Sequence, residues 1–437
     1  MNKLPLGWFS VNTGLSFTQI STTKLKVKSK DTLNIGIYPV VDQGAEFIAG
    51  YVDDESKVIY VNNPLCIFGD HTRAIKWIDF VPGADGTKVL VPASYLFPKF
   101  FYYQLKTLEI EDRGYSRHFK YLKATNFKVA PLNEQIRIAN KLDSILAKVD
   151  KAQAHLDKIP AILKRFRQSV LAAATSGELT KEWREEMGFT KDTWLPTSID
   201  SLSVRAFDGP FGSKLKTADY TDNGIKVARL ENVGHLVFNS EKQTFISETK
   251  YQELVKNTIE HNDVLFSSFV DEEIRTCLFD ERLGTHINKA DCFCIRPNQE
   301  IVHPEFLMYS LACKHTYEKI KKQVHGATRP RVNLRFLKSF EIALPSPKEQ
   351  SVVVDKINQL FSKTNKVEQQ YLDAKARLDR LTQSILAKAF RGELVPQDPN
   401  DEPAEKLLER IVAEKEQNKS KKTTRKRTTK AKTAEKE

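Results

Sequence analysis

The sequence has few cysteines and no long apolar run. Its five cysteines are scattered at positions 66, 277, 292, 294 and 313 of 437 residues. An odd and sparse set of this kind predicts reduced thiols in a cytoplasmic protein. Cys292 and Cys294 are one residue apart without a second pair, so their spacing does not indicate a zinc site. No apolar stretch reaches about eighteen residues, and the first ten residues lack a signal-peptide core, so we expect no membrane span.

Motifs of catalysis are missing as well. The sequence contains no Gly-x4-Gly-Lys-Ser/Thr phosphate loop and no Asn/Asp-Pro-Pro-aromatic motif for methylating a base amino group. Asp208-Gly-Pro-Phe-Gly212 holds a proline and precedes no apolar helix, which favours a plain turn over a cofactor loop. The acidic cluster Asp271–Glu273 is typical of a solvated turn. We therefore expect no catalytic residue, no metal and no cofactor on this chain, and a stand-alone nuclease or methyltransferase is disfavoured.

Positive charge is unevenly distributed along the chain. The net charge is +12, and residues 415–437 alone contribute +7. This tail has almost no apolar residues, so it cannot bury a core and is predicted to be disordered. Two interpretations of the tail stay open, a solubilising segment and a non-specific contact with nucleic-acid phosphates.

An internal repeat organises the chain. Residues 134–179 align with residues 349–394 at a constant offset of 215 without a gap, and 16 of the 46 positions are identical. Each copy begins with Glu-Gln after a proline-bearing stretch. A period this long is unlike that of a solenoid. It indicates the duplication of a whole unit, each consisting of a globular domain followed by helices.

Each copy of the repeat carries an apolar seam that alternates steps of four and three residues. This spacing predicts a helix that packs along a partner helix, although an ordinary core helix in each domain is the alternative. Gly177 and Gly392 lie where each helix should stop, and Pro160 predicts a kink or a helix start. The residues selected for helix pairing are Leu156, Leu163, Phe166, Val170, Tyr371, Leu378, Leu381 and Ile385.

Connectivity favours an antiparallel arrangement of these two helices. The first helix leads from the first domain to the second, and a second helix that runs back needs no long crossover. The expected shape is a rod with one domain at each end and an approximate two-fold axis. A seam of 22 residues spans roughly 32 Å. That length is close to one turn of duplex DNA, about 34–36 Å.

The two globular regions combine short β-branched and aromatic runs with turn signals, which predicts strands joined by loops. The predicted fold class is α+β, with two domains of irregular mixed sheet separated by two long antiparallel helices that form a coiled coil. The predicted segments are a first domain at 1–130, helices at 131–185, a second domain at 186–345, helices at 346–396, a short C-terminal helix at 397–414 and the tail at 415–437.

Basic residues cluster at corresponding places, just before each copy of the repeat. Residues 113–128 hold five Lys/Arg and no acid, and residues 314–338 hold eight Lys/Arg and one acid. Arginine and asparagine side chains in loops can read base edges or grip phosphates, while a solvated basic face is the alternative. The predicted DNA contacts are His71, Arg73, Arg117, His118, Lys214, Lys216, Arg229, Arg275, Arg329, Arg331 and Asn333.

Several segments resemble the specificity subunit of Type I restriction-modification enzymes. The resemblance covers residues 4–412. The matching segments are Leu4-Pro-Leu-Gly-Trp8, Gly209-Pro-Phe-Gly-Ser-Lys-Leu-Lys216, Gly224–Arg229, Gly326-Ala-Thr-Arg-Pro-Arg-Val-Asn333, Ser384–Leu394, Asp401-Glu-Pro-Ala404 and Leu407–Arg410. The first domain departs from the pattern because it has no Gly-Pro-Phe-Gly opening.

The resemblance implies two target-recognition domains that read two unlike half-sites in double-stranded DNA. It also implies helices that set the spacing and dock partner chains, with two modification subunits that carry S-adenosylmethionine and methylate adenine. Restriction subunits that use ATP and Mg²⁺ would translocate and cut DNA. The alternative is a helical scaffold or adaptor that does not read bases.

Overall fold

The computed structural model describes residues 4–22, 24–60, 64–79, 83–84, 87–112, 114, 116–324, 330–411 and 413. Within these residues the chain is a mixture of helices and strands, in agreement with the predicted fold class at this level. It divides into two compact units. The first unit comprises Met1–Leu156 and Asp373–Glu437, and the second comprises Asp157–Leu372.

The described residues of the first unit form nine strands. They are β1 (Phe9–Asn12), β2 (Phe17–Ile20), β3 (Tyr38–Val41), β4 (Gly50–Val52), β5 (Leu65–Phe68), β6 (Ile75–Ile78), β7 (Gly83–Ala84), β8 (Lys88–Pro92) and β9 (Asn126–Val129). They form a ribbon of β1 and β9, a four-stranded sheet in the order β2-β8-β5-β6, and a three-stranded sheet in the order β4-β3-β7.

Eleven strands are present in the part of the second unit that the structure describes. They are β10 (Leu195–Ser198), β11 (Ser203–Phe207), β12 (Tyr220–Thr221), β13 (Ile225–Ala228), β14 (Phe245–Ile246), β15 (Thr258–Ile259), β16 (Val264–Ser267), β17 (Thr276–Leu278), β18 (His286–Asn288), β19 (Cys292–Pro297) and β20 (Glu341–Leu344). They form a ribbon of β10 and β20, a four-stranded sheet in the order β11-β19-β16-β17, and a five-stranded sheet in the order β12-β14-β13-β18-β15.

The helices separate into short domain helices and long repeat helices. They are α1 (Pro98–Leu105), α2 (Phe119–Ala124), α3 (Leu132–Leu156), α4 (Ile159–Thr175), α5 (Lys181–Glu186), α6 (Ile199–Leu202), α7 (Glu248–Leu254), α8 (Pro304–Ala312), α9 (Lys314–Lys321), α10 (Leu334–Ser339) and α11 (Pro347–Ala389). A further helix runs over residues 404–411, inside the segment predicted for a C-terminal helix.

The two units share part of their strand topology. In each, the first and last strands pair as an antiparallel ribbon. In each four-stranded sheet, the strand that comes last in the chain (β8 or β19) lies between the first strand (β2 or β11) and the hairpin formed by the other two. Each second sheet also contains one parallel pair, β3 with β7 and β13 with β18. This correspondence is what the duplication of a whole unit predicts.

The Glu-Gln pair that starts each repeat copy is hydrogen-bonded to the first residues of its unit. Trp8 Nε1 donates to Glu134 Oε2 at 3.0 Å in the first unit. Trp194 Nε1 donates to Glu349 Oε2, also at 3.0 Å, in the second. Both carboxylates are buried. A buried carboxylate needs such donors, so each Glu ties the first helical turn to the start of the domain.

The adjacent glutamine makes an equally repeated set of hydrogen bonds. Gln135 Oε1 accepts from Phe97 N, the residue before α1, at 2.7 Å. Its Nε2 donates to the carbonyls of Tyr95 and Ala130. Gln350 Oε1 accepts from His303 N, the residue before α8, at 2.7 Å, and its Nε2 donates to two carbonyls in the same way. The pair therefore fixes the domain helix against the repeat helix in both units.

Each hydrophobic core contains the start of one repeat copy and the end of the other. In the first unit, α3 contributes Ile138 and Leu142, while the last turns of α11 contribute Leu386 and Phe390. In the second unit, the start of α11 contributes Val353, Val354 and Ile357, while α4 contributes Val170, Leu171 and Ala174. Apolar burial therefore holds both ends of each repeat copy.

The predicted stop signals are confirmed. Helix α3 ends at Leu156, and α4 begins at Ile159 after a break of two residues. Pro160 lies in the first turn of α4. Gly177 and Gly392 follow the ends of α4 and α11 with φ of 79° and 75°. Such left-handed backbone favours glycine. The second copy has no proline at the corresponding position, and α11 continues unbroken for 43 residues.

The predicted pairing seam is partly wrong in its register. Phe166 and Leu381 are 43% and 48% exposed, so neither lies in a buried seam. The other selected residues are buried or half-buried, namely Leu156, Leu163, Val170, Tyr371, Leu378 and Ile385. In both copies the half-buried position is the next residue, Arg167 or Thr382. Because the displacement is one residue in both copies, the pattern of buried and exposed positions is repeated together with the sequence.

Arg167 explains why apolar spacing alone misplaced this row. Its guanidinium donates to Asn365 Oδ1 at 2.9 Å and to Glu368 Oε2 at 2.6 Å on α11. A long basic side chain can bury its methylene groups while its head stays hydrogen-bonded. The polar Arg167 therefore lies against α11, whereas the apolar Phe166 is exposed.

We predict that Glu349→Gln destabilises the protein more than Glu134→Gln. Arg184 Nη1 donates to Glu349 Oε1 at 2.6 Å, and both side chains are buried, so the substitution leaves a buried guanidinium unpaired at a cost of about 3–5 kcal/mol. At Glu134 burial raises the pKa of the carboxyl, and an amide oxygen can still accept from Trp8, so the cost is about 1 kcal/mol. Urea unfolding measures both values of the free energy of unfolding, and equal losses would contradict the role assigned to Arg184.

Candidate DNA-binding surface

The Gly-Pro-Phe-Gly segment of the second unit is docked onto the loop that follows β18. Asp208 Oδ1 accepts from Gly209 N at 2.8 Å and from Asp291 N at 3.0 Å. A Cβ at Gly209 would lie 2.1 Å from the carbonyl carbon of Lys289, so only glycine fits there. Burial raises the pKa of the Asp208 carboxyl. The predicted plain turn is thus one side of a tight junction between two loops.

Arg331 reaches this junction from the segment before α10. Its Nη2 lies 3.1 Å from Asp291 Oδ2, and its guanidinium lies 4.4 Å from the ring centroid of Phe269. The backbones of Phe269 and Arg331 also form a β-bridge. Asp291 has a left-handed backbone with φ of 72°, and Ser268 Oγ donates to it at 2.9 Å. Arg331 is therefore held in place while its side chain remains 46% exposed.

Two more cations gather around Tyr220 at the same junction. The Lys289 ammonium donates to the Tyr220 hydroxyl and lies 5.0 Å from its ring centroid. The Arg229 guanidinium lies 5.9 Å from the same ring, and its Nε is 3.3 Å from Glu231 Oε1. We call Arg229, Lys289, Arg331, Tyr220 and Phe269 the junction surface. Aromatic faces next to exposed cations suit contact with nucleic acid.

Sequence patterns missed Lys289, although they selected Arg229 and Arg331. Lys289 belongs to no basic run, since it lies between Asn288 and Ala290 at the end of β18. Its place at the junction depends on the parallel pairing of β18 with β13, which also brings Ala228 next to it. Only the fold brings residues so distant in the chain together.

The other predicted contacts of the second unit have different surroundings. Lys214 and Lys216 are exposed beyond Phe211, which is 69% exposed. Arg275 is half-buried and donates to Leu230 O and Ser267 Oγ, which indicates a structural role. Asn333 Oδ1 caps α10 by accepting from Phe336 N at 2.8 Å. Arg329 lies outside the described residues.

The Asn333 cap bears on the expected contact with adenine. Recognition of adenine by asparagine uses the amide oxygen as an acceptor and the amide nitrogen as a donor. The oxygen of Asn333 already accepts the hydrogen bond of the helix cap, so it would have to serve adenine with its second lone pair. Asn333 sets the start of α10, and its contact with DNA stays a prediction.

In the first unit the four selected residues come together around Asp70. The carbonyl of Asp70 accepts from His118 N at 2.8 Å, and its Oδ1 accepts from Phe119 N at 2.9 Å. The turn at residues 70–73 therefore packs on the start of α2. Residues 71–73 and 117–118 are neighbours in space, as a shared surface requires.

Burial separates these four residues. His118 is fully buried, with its Nδ1 3.1 Å from Asp70 O, so the predicted DNA contact at His118 is wrong and its role is structural. His71 is half-buried. Arg73 donates to Ile110 O and pairs with Asp112 at 2.6 Å. Arg117 is exposed and is the accessible cation of the set.

Helix α2 adds two exposed lysines beside Arg117. The Lys120 ammonium lies 4.8 Å from the Tyr121 ring centroid, and the Lys123 ammonium lies 4.6 Å from the Phe119 ring centroid. Both belong to the basic segment at residues 113–128, but neither is among the predicted DNA contacts. The first unit thus presents a short basic helix where the second presents the junction surface.

Two general findings bear on the kind of site. Across the part of the chain that the structure describes, no group of three His, Cys, Asp or Glu residues is arranged to hold a metal ion. Within the same residues, no helix has the length and apolar character to cross a membrane.

The thiols of Cys66, Cys277, Cys292 and Cys294 are buried, and burial raises the pKa of each.

Comparison with known proteins identifies the family. The profile of the Type I restriction modification DNA specificity domain matches residues 212–374. The EcoBI specificity subunit of Escherichia coli is 33% identical over 324 residues, which cover 70% of this chain and 68% of that protein. The EcoDI specificity subunit of Escherichia coli is 29% identical over 97% of this chain and 99% of that protein.

A solved structure agrees in fold. One chain from a study of assembly and conformational transition in the type I R-M system superposes with a TM-score of 0.68 at 17% identity, covering 90% of this chain and all of that one. These findings define a restriction-modification protein that determines DNA specificity. The chain belongs to the family of Type I restriction enzyme specificity subunits.

We predict that Arg331→Ala weakens binding to target DNA by about 1–3 kcal/mol, the range for an arginine that forks onto a base edge. Arg331→Lys keeps the charge and loses the fork, so it should restore the salt dependence without restoring discrimination between bases. Fluorescence anisotropy over a series of salt concentrations measures both. Arg282→Ala is the control, because Arg282 is 87% exposed and pairs with Asp280. Affinity and salt slope that do not change in Arg331→Ala would reject the assignment.

Proposed function

We propose that this chain is a non-catalytic subunit that reads a bipartite and asymmetric DNA target. The observation that carries the proposal is the pairing of like supports with unlike surfaces. Both units have the same strand order in the four-stranded sheet and the same Trp–Glu hydrogen bond. Their exposed cations lie on different elements, α2 in the first unit and the junction surface in the second. Two such surfaces would read two different half-sites.

The repeated helices would set the distance between the half-sites. Each repeat copy ends in the core where the other copy begins. If the two copies run antiparallel, they would keep the two recognition domains at a fixed separation. For a coiled coil of about 32 Å, half-site centres about one helical turn apart are expected. The bases between them would be a spacer that is not read.

Chemistry on DNA would come from partner chains. Two modification subunits that bind S-adenosylmethionine would dock on the repeated helices and methylate one adenine in each half-site. Restriction subunits that use ATP and Mg²⁺ would complete the complex in the cytoplasm. This chain would supply neither cofactor sites nor catalytic groups, and its contribution would be the choice of target.

Methylation mapping tests the proposal. We predict that host DNA carries methylated adenines in a motif of two unlike parts, that deleting this gene removes them, and that Arg331→Lys relaxes only one part. Arg117→Ala should relax only the other part, because Arg117 belongs to the first unit. A helical scaffold that does not read bases would leave the methylated motif unchanged in both variants, and that outcome would overturn the proposal.

A further inference from the structure

The second unit contains a cavity of about 460 Å³ beside the end of the first repeat copy. Its walls come from the last turn of α4, the end of α8, the start of α9, strand β20 and the turn at Lys191. Thr175 on α4 forms part of the wall, and its hydroxyl lies 3.3 Å from Cys313 Sγ.

The duplication provides an internal comparison for this cavity. At the repeat offset, Thr175 corresponds to Phe390. Phe390 is buried in the first unit, with its ring centroid 5.2 Å from that of Phe100 on α1. The smaller Thr175 leaves space where the other copy has an aromatic ring. The opening is thus a difference between the two copies of one repeat.

Hydrogen-bond donors lie in the wall of this space. Helix α9 begins at Lys314, and no side chain caps it, so the backbone amides of its first turn lack an intrahelical partner. Ser310 lines the cavity and is 3% exposed, and its hydroxyl has no hydrogen-bond partner among the described residues. A helix N-terminus with a buried and unused hydroxyl favours an oxyanion ligand.

Positive charge outnumbers negative charge around the opening. Lys191 and Lys319 line it together with the carboxylate of Glu341, and the lining also includes His315. His315 and Lys319 are four residues apart on α9, so they share one face of the helix. We propose that this cavity binds a phosphate group through the first turn of α9, the Ser310 hydroxyl and the Lys319 ammonium.

The phosphate could be free in solution, or it could be a phosphodiester of bound DNA, and the chemistry of recognition is the same. The first test uses the full-length chain and inorganic phosphate, with sodium chloride at matched ionic strength as the reference. Phosphate should raise the Tm of the wild type, because a ligand that binds only the folded state stabilises it. Isothermal titration of the same samples gives the Kd.

Three variants locate the site. Thr175→Phe should abolish phosphate binding while folding normally, since phenylalanine occupies the corresponding position of the other copy. Lys319→Gln should weaken binding about tenfold, the effect of losing one charge-assisted hydrogen bond. Lys322→Gln is the matched control, because Lys322 is exposed at the C-terminal end of the same helix and does not line the cavity. Its Kd for phosphate should equal that of the wild type.

The proposal is overturned if phosphate leaves the wild-type Tm at the chloride value, or if Lys319→Gln and Lys322→Gln bind phosphate equally. Duplex binding in phosphate-free buffer then assigns the source. A salt slope about one unit smaller in Lys319→Gln than in Lys322→Gln indicates a DNA phosphate. Equal slopes indicate a free anion. Both results leave the bipartite target untouched, since that rests on the methylated motif.

Discussion

The hydrogen bond from a tryptophan indole to a buried glutamate is the contact on which each unit depends. The carboxylate stands in the first turn of a repeat helix, and the indole stands at the entry to the globular domain. Burial makes an unsatisfied carboxylate costly, so the two elements cannot separate without loss of free energy. The neighbouring glutamine adds three more hydrogen bonds to the same corner in each unit. Every loop that bears an exposed cation is therefore carried on a domain whose base is fixed to a helix.

A fixed base leaves the outer loops free to differ. The four-stranded sheets have the same strand order, whereas the second sheet has three strands in one unit and five in the other. Trp194 follows Trp8 by 186 residues, while Glu349 follows Glu134 by 215. The second domain has thus gained chain between its two anchor points without moving either of them. Such a division, with invariant supports and variable surfaces, suits a protein in which target choice varies while assembly with partners stays constant.

The sequence predicted the repeat, the helix stops and the mixed class because these depend on local spacing. Glycine and proline act on their own backbone, and a gapless repeat preserves its offset. The equivalence of the two domains could not be predicted, since loops of unequal length hide it from any constant offset. Lys289 was missed for a related reason, because its place at the junction depends on the parallel pairing of β18 with β13. The seam failed at Phe166 for a different reason, since the half-buried Arg167 is held against α11 by its hydrogen bonds and not by its hydropathy. His118 failed because polarity alone does not distinguish a satisfied buried ring from an exposed one.

The two units also differ inside their supports, where symmetry would be expected to hold best. Glu349 is paired with Arg184, which also donates to the carbonyl of Gly177 and so joins the end of the first repeat copy to the start of the second. Around Glu134 the corresponding basic residue is Arg137, and its partner is Asp401 in the segment after α11. That ion pair, through the charge-assisted hydrogen bond from Arg137, holds the pKa of the Asp401 carboxyl below its usual range. The two units therefore close the same corner with different residues, and in each unit one of these residues comes from the segment that follows the repeat copy. The geometry of the corner is the same in both units, whereas the ion pair beside it differs.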